Sequence, residues 1–273
     1  MSTLKQSYIL VPSHVRESYL YHLLCNPPES TACLRRAPPE TMDTKKGSKM
    51  KSKAKKSKDD DDDSPVQPPP TIIFCSKPRT AAYLALLLKS LLIRSTALHS
   101  RLTQRERLSS LSLFRASVVP VLISTDVGSR GLDIEEVAMV INWDLPNEPE
   151  EYVHRVGRTA RAGRGGMAVS FVTERDEERI LKIEERISEH PQPIGLFCTH
   201  LNFSDTRLEE LEMPEDRVLE KLNTVSTAKR LANMVCNSLL IKYALLRCVQ
   251  ELSDSNFGKR EEIHKIKKLR REV

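Results

Sequence analysis

Short apolar runs alternate with helical stripes of apolar residues along most of this chain. The runs 71–75, 121–123 and 137–141 are continuous, which is typical of strands that are buried on both faces. The predicted strands are 8–12, 71–75, 96–98, 118–124, 137–142 and 167–172. Helices are predicted after Ser13, after Ser76, from Thr103, over 150–161 and over 176–187. Ser76 is expected to cap its helix, and Thr103 to begin its helix with a capping box. Strands and helices in alternation predict an α/β fold, in which helices cover both faces of a parallel sheet.

The segment 26–70 breaks this pattern. It is rich in proline, nearly lacks apolar residues, and carries eight lysines between Lys45 and Lys58 before the acidic run Asp59–Asp63. Because it cannot bury enough surface to offset the entropy of ordering, we predict a disordered insertion. The lysine run is interpreted either as a nuclear-localisation or RNA-tethering signal or as a solvated loop.

The insertion divides the predicted domain into two pieces. Residues 1–25 supply its first strand and helix, and residues 71–190 supply the remainder. Residues 191–273 are interpreted as a charged tail that is helical or partly disordered. The sequence therefore predicts one folded domain followed by an appendage.

Composition narrows the class of protein. The chain has 273 residues, 39% of them apolar and 29% charged, and six cysteines without a C-x-x-C pair. This cysteine usage predicts a reducing compartment, no disulfide framework and no metal site, and Cys75 lies in an apolar run as buried free thiols do. No apolar run is long enough to span a bilayer, so no membrane association is expected. The net charge of +6 is compatible with a polyanionic partner but does not establish one.

Residues that suit a nucleotide follow the predicted strand 118–124. They are Thr125, Asp126, Gly128, Gly131 and Asp133. In an open parallel sheet, ligands bind at the carboxyl ends of the strands, where these residues lie. The two glycines permit backbone amides to approach a phosphate, and the second aspartate suits ribose hydroxyls. The alternative is an ordinary glycine turn closed by a salt bridge between Asp126 and Arg130.

A basic cluster follows on the predicted helix 150–161. His154, Arg158 and Arg161 are spaced four and three positions apart, which predicts that they share one helical face. Such groups repel each other unless an anion or carboxylates offset their charge. Because the arginine side chain is a planar fork of donors that matches phosphate oxygens, the cluster predicts a phosphate ligand. The alternative is a solvated basic helix.

These segments together resemble the motifs of the DEAD-box RNA helicases. Ser124–Asp133, Asn142–Pro146 and His154–Arg164 resemble motifs V, Va and VI of that family, while Gln104–Arg107 and Ile72–Phe74 resemble its Q-x-x-R element and motif IV strand. The resemblance runs from about Tyr8 to Ile187 across the insertion, and this order of motifs is specific. The tail further resembles the nucleolar branch of the family, which acts in small-subunit ribosomal RNA processing.

The resemblance implies a RecA-like second helicase domain and a role for each matching residue. Arg158 and Arg161 are expected to face the γ-phosphate of ATP, one of them as an arginine finger, and His154 to link the two helicase domains. Asp133 is expected to hold the ribose, with Gly131 in the same nucleotide site. The residues implied along the RNA backbone are Thr125, Gly128, Gln104 and Arg107, with Gly128 standing where the family usually has alanine.

The motifs that cradle a triphosphate are absent from the sequence. It contains no G-x-x-x-x-G-K-[ST] loop, no Asp-Glu-Ala-Asp box and no Q motif. ATP with Mg²⁺ is therefore expected to be bound mainly by a first helicase domain that this chain lacks, and the chain alone is expected to be inactive. Two accounts fit this expectation: a truncated product of a complete helicase, or a free-standing module.

The leading hypothesis is the C-terminal half of an ATP-dependent RNA helicase that acts in ribosomal RNA processing. The implied partners are RNA, expected to be pre-ribosomal, the first helicase domain of the complete protein and pre-ribosome assembly factors. The implied location is the nucleus, and within it the nucleolus. Two alternatives are a non-catalytic RNA-binding or scaffold module that uses the same surface, and a DNA-acting relative of the same fold.

Overall fold

A single parallel sheet organises the protein. The computed structural model describes residues 3–28, 31, 67–126, 137–160, 165–189, 202–203 and 208–237. Within them, the strands are β1 (Thr3–Leu10), β2 (Thr71–Phe74), β3 (Ser95–Leu98), β4 (Val121–Ser124), β5 (Met139–Asn142), β6 (Gly166–Val172), β7 (Asn202–Phe203) and β8 (Glu209–Glu210). All their pairings are parallel, in the order β3-β4-β2-β5-β6-β1-β7, and β8 also pairs with β1.

Helices cover both faces of this sheet. They are α1 (Arg16–Cys25), α2 (Pro78–Ser90), α3 (Gln104–Arg115), α4 (Pro149–Val156), α5 (Glu177–Glu189), α6 (Glu215–Glu220) and α7 (222–237). Successive strand residues point to opposite faces, so the sheet has a core on each side. In β2, Ile73 belongs to the same apolar core as Leu20 and Leu84, whereas Ile72 belongs to the core of Phe114 and Tyr152. The predicted α/β fold with two covered faces is confirmed.

The helical tail packs against the first helix. Val225, Ala228 and Ala232 of α7 are buried in the core that also contains α1. Lys229 Nζ donates to Glu17 Oε2 at 2.9 Å, which fixes the position of α7 along α1. The predicted charged tail is therefore helical over 215–220 and 222–237, while 190–201, 204–207 and 238–273 lie outside the described residues.

The folded domain resumes before the predicted end of the insertion. Gln67 Nε2 donates to the Leu92 carbonyl at 3.1 Å, and Gln67 Oε1 accepts from Arg94 N–H at 3.1 Å. The Pro70 carbonyl accepts from Ala138 N–H at 2.9 Å. The four residues 67–70 are thus bound to the domain, and they enter β2 directly. The rest of the predicted insertion, apart from 26–28 and 31, lies outside the described residues.

The start of α2 differs from the prediction that Ser76 caps it. The helix begins at Pro78 with Lys77 as its N-cap residue and no side-chain cap. Ser76 N–H donates instead to Asp144 Oδ2 at 2.9 Å, so its backbone serves a contact between loops. A proline at the first helical position is compatible with this start, because that position leaves its N–H unpaired in any helix.

No helix in the described ranges combines the length and the apolar character needed to cross a bilayer. The cysteines there, Cys25, Cys75 and Cys236, are free thiols.

Cys75 should be inert to alkylating reagents while the protein is folded. Its side chain is fully buried at the end of β2, and burial, followed by the nearby Asp144 carboxylate, raises the pKa of the thiol to about 12. Because the thiolate is the reactive form, incubation with iodoacetamide at mildly alkaline pH should leave Cys75 unmodified in peptide mass mapping. Unfolding in urea should expose it to complete modification. Rapid labelling of Cys75 without denaturant would contradict its buried position.

Candidate functional site

A buried arginine on α4, Arg155, joins the carboxyl ends of β4 and β5. Its side chain is 2% exposed. Nε and Nη2 donate to the two carboxylate oxygens of Asp126 at 2.7 and 2.6 Å, in the bidentate geometry of strong ion pairs. Nη1 donates to the Asp144 carbonyl at 2.7 Å and to Asn142 Oδ1 at 3.3 Å. Its guanidinium also lies 5.3 Å from the ring centre of Phe74. Both packing and hydrogen bonds therefore fix the position of the Arg155 side chain.

This ion pair ties two of the candidate segments together. Asp126 precedes the stretch 127–136, and Arg155 adjoins His154 on α4. Both carboxylate oxygens of Asp126 are engaged by Arg155, which the sequence did not single out. The alternative partner, Arg130, lies outside the described residues. The chain is thus anchored to α4 through Asp126, the second residue after β4.

The helix that carries the basic cluster ends earlier than predicted. α4 stops at Val156, with Gly157 as its C-cap residue, rather than continuing to 161. His154 is exposed in the last helical turn, whereas Arg158 is half-buried in the turn that follows. The prediction that the helix continues to 161 was therefore wrong. Arg161 lies outside the described residues.

The turn after α4 is fixed to the strand region beside it. Thr159 is buried, its Oγ1 donates to the Val137 carbonyl at 2.6 Å, and Val137 N–H donates to the Arg158 carbonyl at 3.1 Å. Ala160 then adopts a left-handed φ of 58°. At Gly166 a Cβ atom would lie 2.1 Å from Thr159 Oγ1 and 2.5 Å from Ala160 N, so this turn requires glycine there.

Four of the nine candidate residues for nucleotide and RNA lie outside the described residues. They are Gly128, Gly131, Asp133 and Arg161. Three residues that the sequence did not single out fix the position of the described part of the site: Arg155, Thr159 and Gly166. Over the ranges that the structure describes, no three His, Cys, Asp or Glu side chains come together as metal ligands.

The candidate RNA residues gather at the β3–β4 end of the sheet. Thr125 directly follows β4, where its N–H donates to the Leu98 carbonyl at 3.2 Å and its side chain is buried. Gln104 is exposed at the first position of α3, and Arg107 Nη1 donates to Gln104 Oε1 at 3.4 Å. Gln104 and Arg107 therefore form a pair on the surface of α3, while Thr125 presents little of its side chain.

A buried histidine, His99, follows β3 at the same end. Burial lowers the pKa of its imidazole, and the charge of Arg101 lowers it further, against an opposing effect of Glu106. The ring is therefore neutral near pH 7 and adds no positive charge to the candidate RNA residues. Its position was not predicted.

The first turn of α3 is set by the predicted capping box, which is confirmed. Thr103 Oγ1 accepts from Glu106 N–H at 3.3 Å, and Glu106 Oε2 accepts from Thr103 N–H at 2.8 Å. These bonds satisfy two backbone donors that a helix start leaves unpaired. They also fix Gln104 and Arg107 one residue and four residues after the cap.

Replacing Thr103 by alanine should lower the free energy of unfolding by about 1 kcal/mol, because the cap is lost. Thr103→Ser keeps the hydroxyl and is the matched control, with a much smaller loss. Urea denaturation followed by circular dichroism measures both. The backbone hydrogen bond from Thr103 lowers the pKa of Glu106, so the stabilisation by its carboxylate should be lost as pH falls through that pKa. Equal stability of wild type and Thr103→Ala would contradict the cap.

The chain is similar in sequence to known helicases. The conserved C-terminal domain of helicases matches residues 65–163. An ATP-dependent RNA helicase, DBP8 of Mycosarcoma maydis, is 44% identical over 98% of this chain and 47% of its own length. The chain belongs to the DEAD-box RNA helicase family. It spans about half the length of the curated relatives that it matches.

Solved structures show the same architecture. The C-terminal domain of the DEAD-box protein Dbp5 superposes with a TM-score of 0.53 at 25% identity, covering 81% of this chain and 98% of that domain. A Saccharomyces cerevisiae Dbp5 variant bound to RNA and ADP with beryllium fluoride gives a TM-score of 0.52 at 26% identity, over 84% of this chain and 46% of that one. The predicted RecA-like fold of the helicase domain is therefore confirmed.

Proposed function

We propose that this chain is the C-terminal half of an ATP-dependent RNA helicase. In this role it supplies an arginine finger, Arg158, to an ATP–Mg²⁺ complex that a first helicase domain mainly holds. The observation that carries the proposal is the anchoring of the turn 157–160 at two points. Arg155 binds Asp126 before the turn, and Thr159 binds Val137 within it. Such fixed positioning suits transition-state stabilisation, which depends on charges that are already in place.

The same surface is proposed to bind the RNA backbone. Gln104 and Arg107 offer an amide and a guanidinium on α3, and the RNA-bound Dbp5 structure is similar over most of this chain. Contacts to sugar and phosphate make binding salt-dependent and tolerant of sequence. Gly128, Gly131, Asp133 and Arg161 keep the roles that the family resemblance implies, as part of this proposal.

We further propose that the biological setting is ribosomal RNA processing in the nucleolus, with pre-ribosomal RNA and assembly factors as partners. The likeness of the tail to the nucleolar branch of the family supports this setting. Imaging of the tagged protein beside a nucleolar marker tests it. A distribution that avoids the nucleolus would reject the setting without touching the helicase proposal.

Reconstitution tests the catalytic role. The chain is mixed with the separately expressed N-terminal half of the Mycosarcoma maydis relative, and ATP hydrolysis is measured with and without RNA. We expect neither half to hydrolyse ATP appreciably alone and the mixture to show RNA-stimulated turnover. RNA binding without restored hydrolysis would instead favour a non-catalytic RNA-binding or scaffold module. RNA-stimulated turnover by this chain alone would contradict its expected inactivity.

A further inference from the structure

A groove of about 530 Å³ opens where β1 and β6 end. Leu10, at the end of β1, and Val172, at the end of β6, lie in its floor, and Ile180 of α5 lines its side. Leu10 is 55% exposed, so part of its apolar side chain is open to an occupant of the groove. The groove thus has an apolar floor. Its volume lies within the range typical of ligand sites, roughly 300–1,000 Å³.

Carboxylates surround this apolar floor. Glu174, Glu177, Glu184 and Glu215 line the groove, and no lysine or arginine does so among the described residues. Over the same part of the chain, none of these four glutamates is in an ion pair. Four unpaired carboxylates at one groove favour a cationic occupant, even though the whole chain carries a net charge of +6.

Two tyrosines complete the lining. Burial raises the pKa of Tyr8, with Glu210 and Glu184 raising it further, and burial followed by Glu215 raises the pKa of Tyr19. Both phenols are therefore neutral at physiological pH, and their rings extend the apolar surface beside the carboxylates. Lysine and arginine side chains match such a lining, because an apolar stem carries a charged head.

The groove is separate from the candidate RNA residues. Thr125, Gln104 and Arg107 lie at the β3–β4 end of the sheet, whereas the groove lies at β6 and β1. The strands β2 and β5 stand between β4 and β6, which corresponds to roughly 14 Å at about 4.8 Å per strand spacing. Because its carboxylates repel phosphates, RNA is a poor occupant of the groove itself.

We propose that this groove binds a segment of a partner protein that carries lysine or arginine side chains next to apolar ones. The four glutamates select the cationic heads, and Leu10, Val172 and Ile180 receive the stems and apolar neighbours. This interaction site is distinct from the described candidate RNA residues Thr125, Gln104 and Arg107.

Binding of a labelled peptide to the full chain tests the proposal. The probe is a short peptide of alternating arginine, leucine and serine, and its partner peptide has glutamate in place of arginine. Fluorescence anisotropy at low and high salt measures both affinities. We expect the arginine peptide to bind, its affinity to fall with salt, and the glutamate peptide not to bind.

A matched pair of double variants locates the peptide on α5. Glu177→Gln with Glu184→Gln removes two groove carboxylates, while Glu178→Gln with Glu185→Gln removes two exposed carboxylates one position further along the same helix. The first variant should weaken peptide binding about tenfold, and the second should leave it nearly unchanged despite the same net charge. Leu10→Ser should weaken binding through the apolar floor. Equal losses in both double variants, or no binding of the arginine peptide at low salt, would overturn the proposal.

Discussion

Arg158→Ala should lower RNA-stimulated ATP hydrolysis by a factor of roughly 10³–10⁵ in the reconstituted two-half helicase. Negative charge spreads over the equatorial oxygens of the transferred phosphoryl group, and a correctly placed guanidinium stabilises it. The next residue in the chain, Thr159, holds Arg158 in place for this role, because the Thr159 hydroxyl donates to the Val137 carbonyl. Initial rates at saturating ATP and RNA measure the effect. Arg158→Lys should restore only part of the activity, because an ammonium lacks the planar fork of donors.

The control for this experiment is Arg94→Ala, which truncates an exposed arginine just before the amino end of β3, whereas Thr125 follows the carboxyl end of the neighbouring β4. It removes the same charge and should leave hydrolysis unchanged. RNA affinity and the melting temperature of the Arg158→Ala chain should also stay close to those of wild type, since the prediction concerns the transition state. A loss of less than tenfold in hydrolysis would contradict the finger role of Arg158.

The sheet was predictable because its signal is local. The apolar runs 71–75, 121–123 and 137–141 overlap β2, β4 and β5, because a parallel strand that is buried on both faces consists mostly of apolar residues. The capping box of α3 was predictable for the same reason, as Thr103 and Glu106 are three residues apart. Patterns of this kind are written within a few positions of the sequence.

The end of α4 was not predictable from such patterns. Residues 157–161 continue the helical spacing of charges, yet the chain leaves the helix at Val156. What competes with the helix is a contact to Val137, 22 positions earlier, through the hydroxyl of Thr159. Gly166, which admits that turn, lies in the next strand. A tertiary contact of this range outweighs local helix propensity.

The position of Arg155 in the sequence did indicate that its side chain is buried. It lies between Tyr152 and Val156, on the apolar side of the helix, whereas His154 faces solvent. Arginine is almost never fully buried without a partner, so its position there required a carboxylate from elsewhere in the fold. The spacing alone did not show that Asp126, 29 positions away, would be that partner.

Arg155→Leu should lower the free energy of unfolding by about 3 kcal/mol. Removing one member of a buried ion pair costs roughly 3–5 kcal/mol, because the other charge is left without compensation. The lower end applies here, since the Asp126 side chain keeps 20% exposure and water reaches part of it. The Asp144 carbonyl and Asn142 Oδ1 lose a donor as well. Urea denaturation measures the change, and Arg94→Ala, an exposed truncation, should stay within about 0.5 kcal/mol of wild type.

The double variant Arg155→Leu with Asp126→Asn separates loss of the ion pair from loss of packing. If the uncompensated carboxylate causes most of the destabilisation, removing its charge should recover a substantial part of the stability lost in Arg155→Leu. If both variants are equally destabilised, the packing of Arg155 against Phe74 matters more than its charge. Wild-type stability of Arg155→Leu would contradict the anchoring altogether. Because Arg158 lies three residues after Arg155, Arg155→Leu should also lower RNA-stimulated hydrolysis in the reconstituted helicase. This result would distinguish an ion pair that positions Arg158 from one that only stabilises the fold.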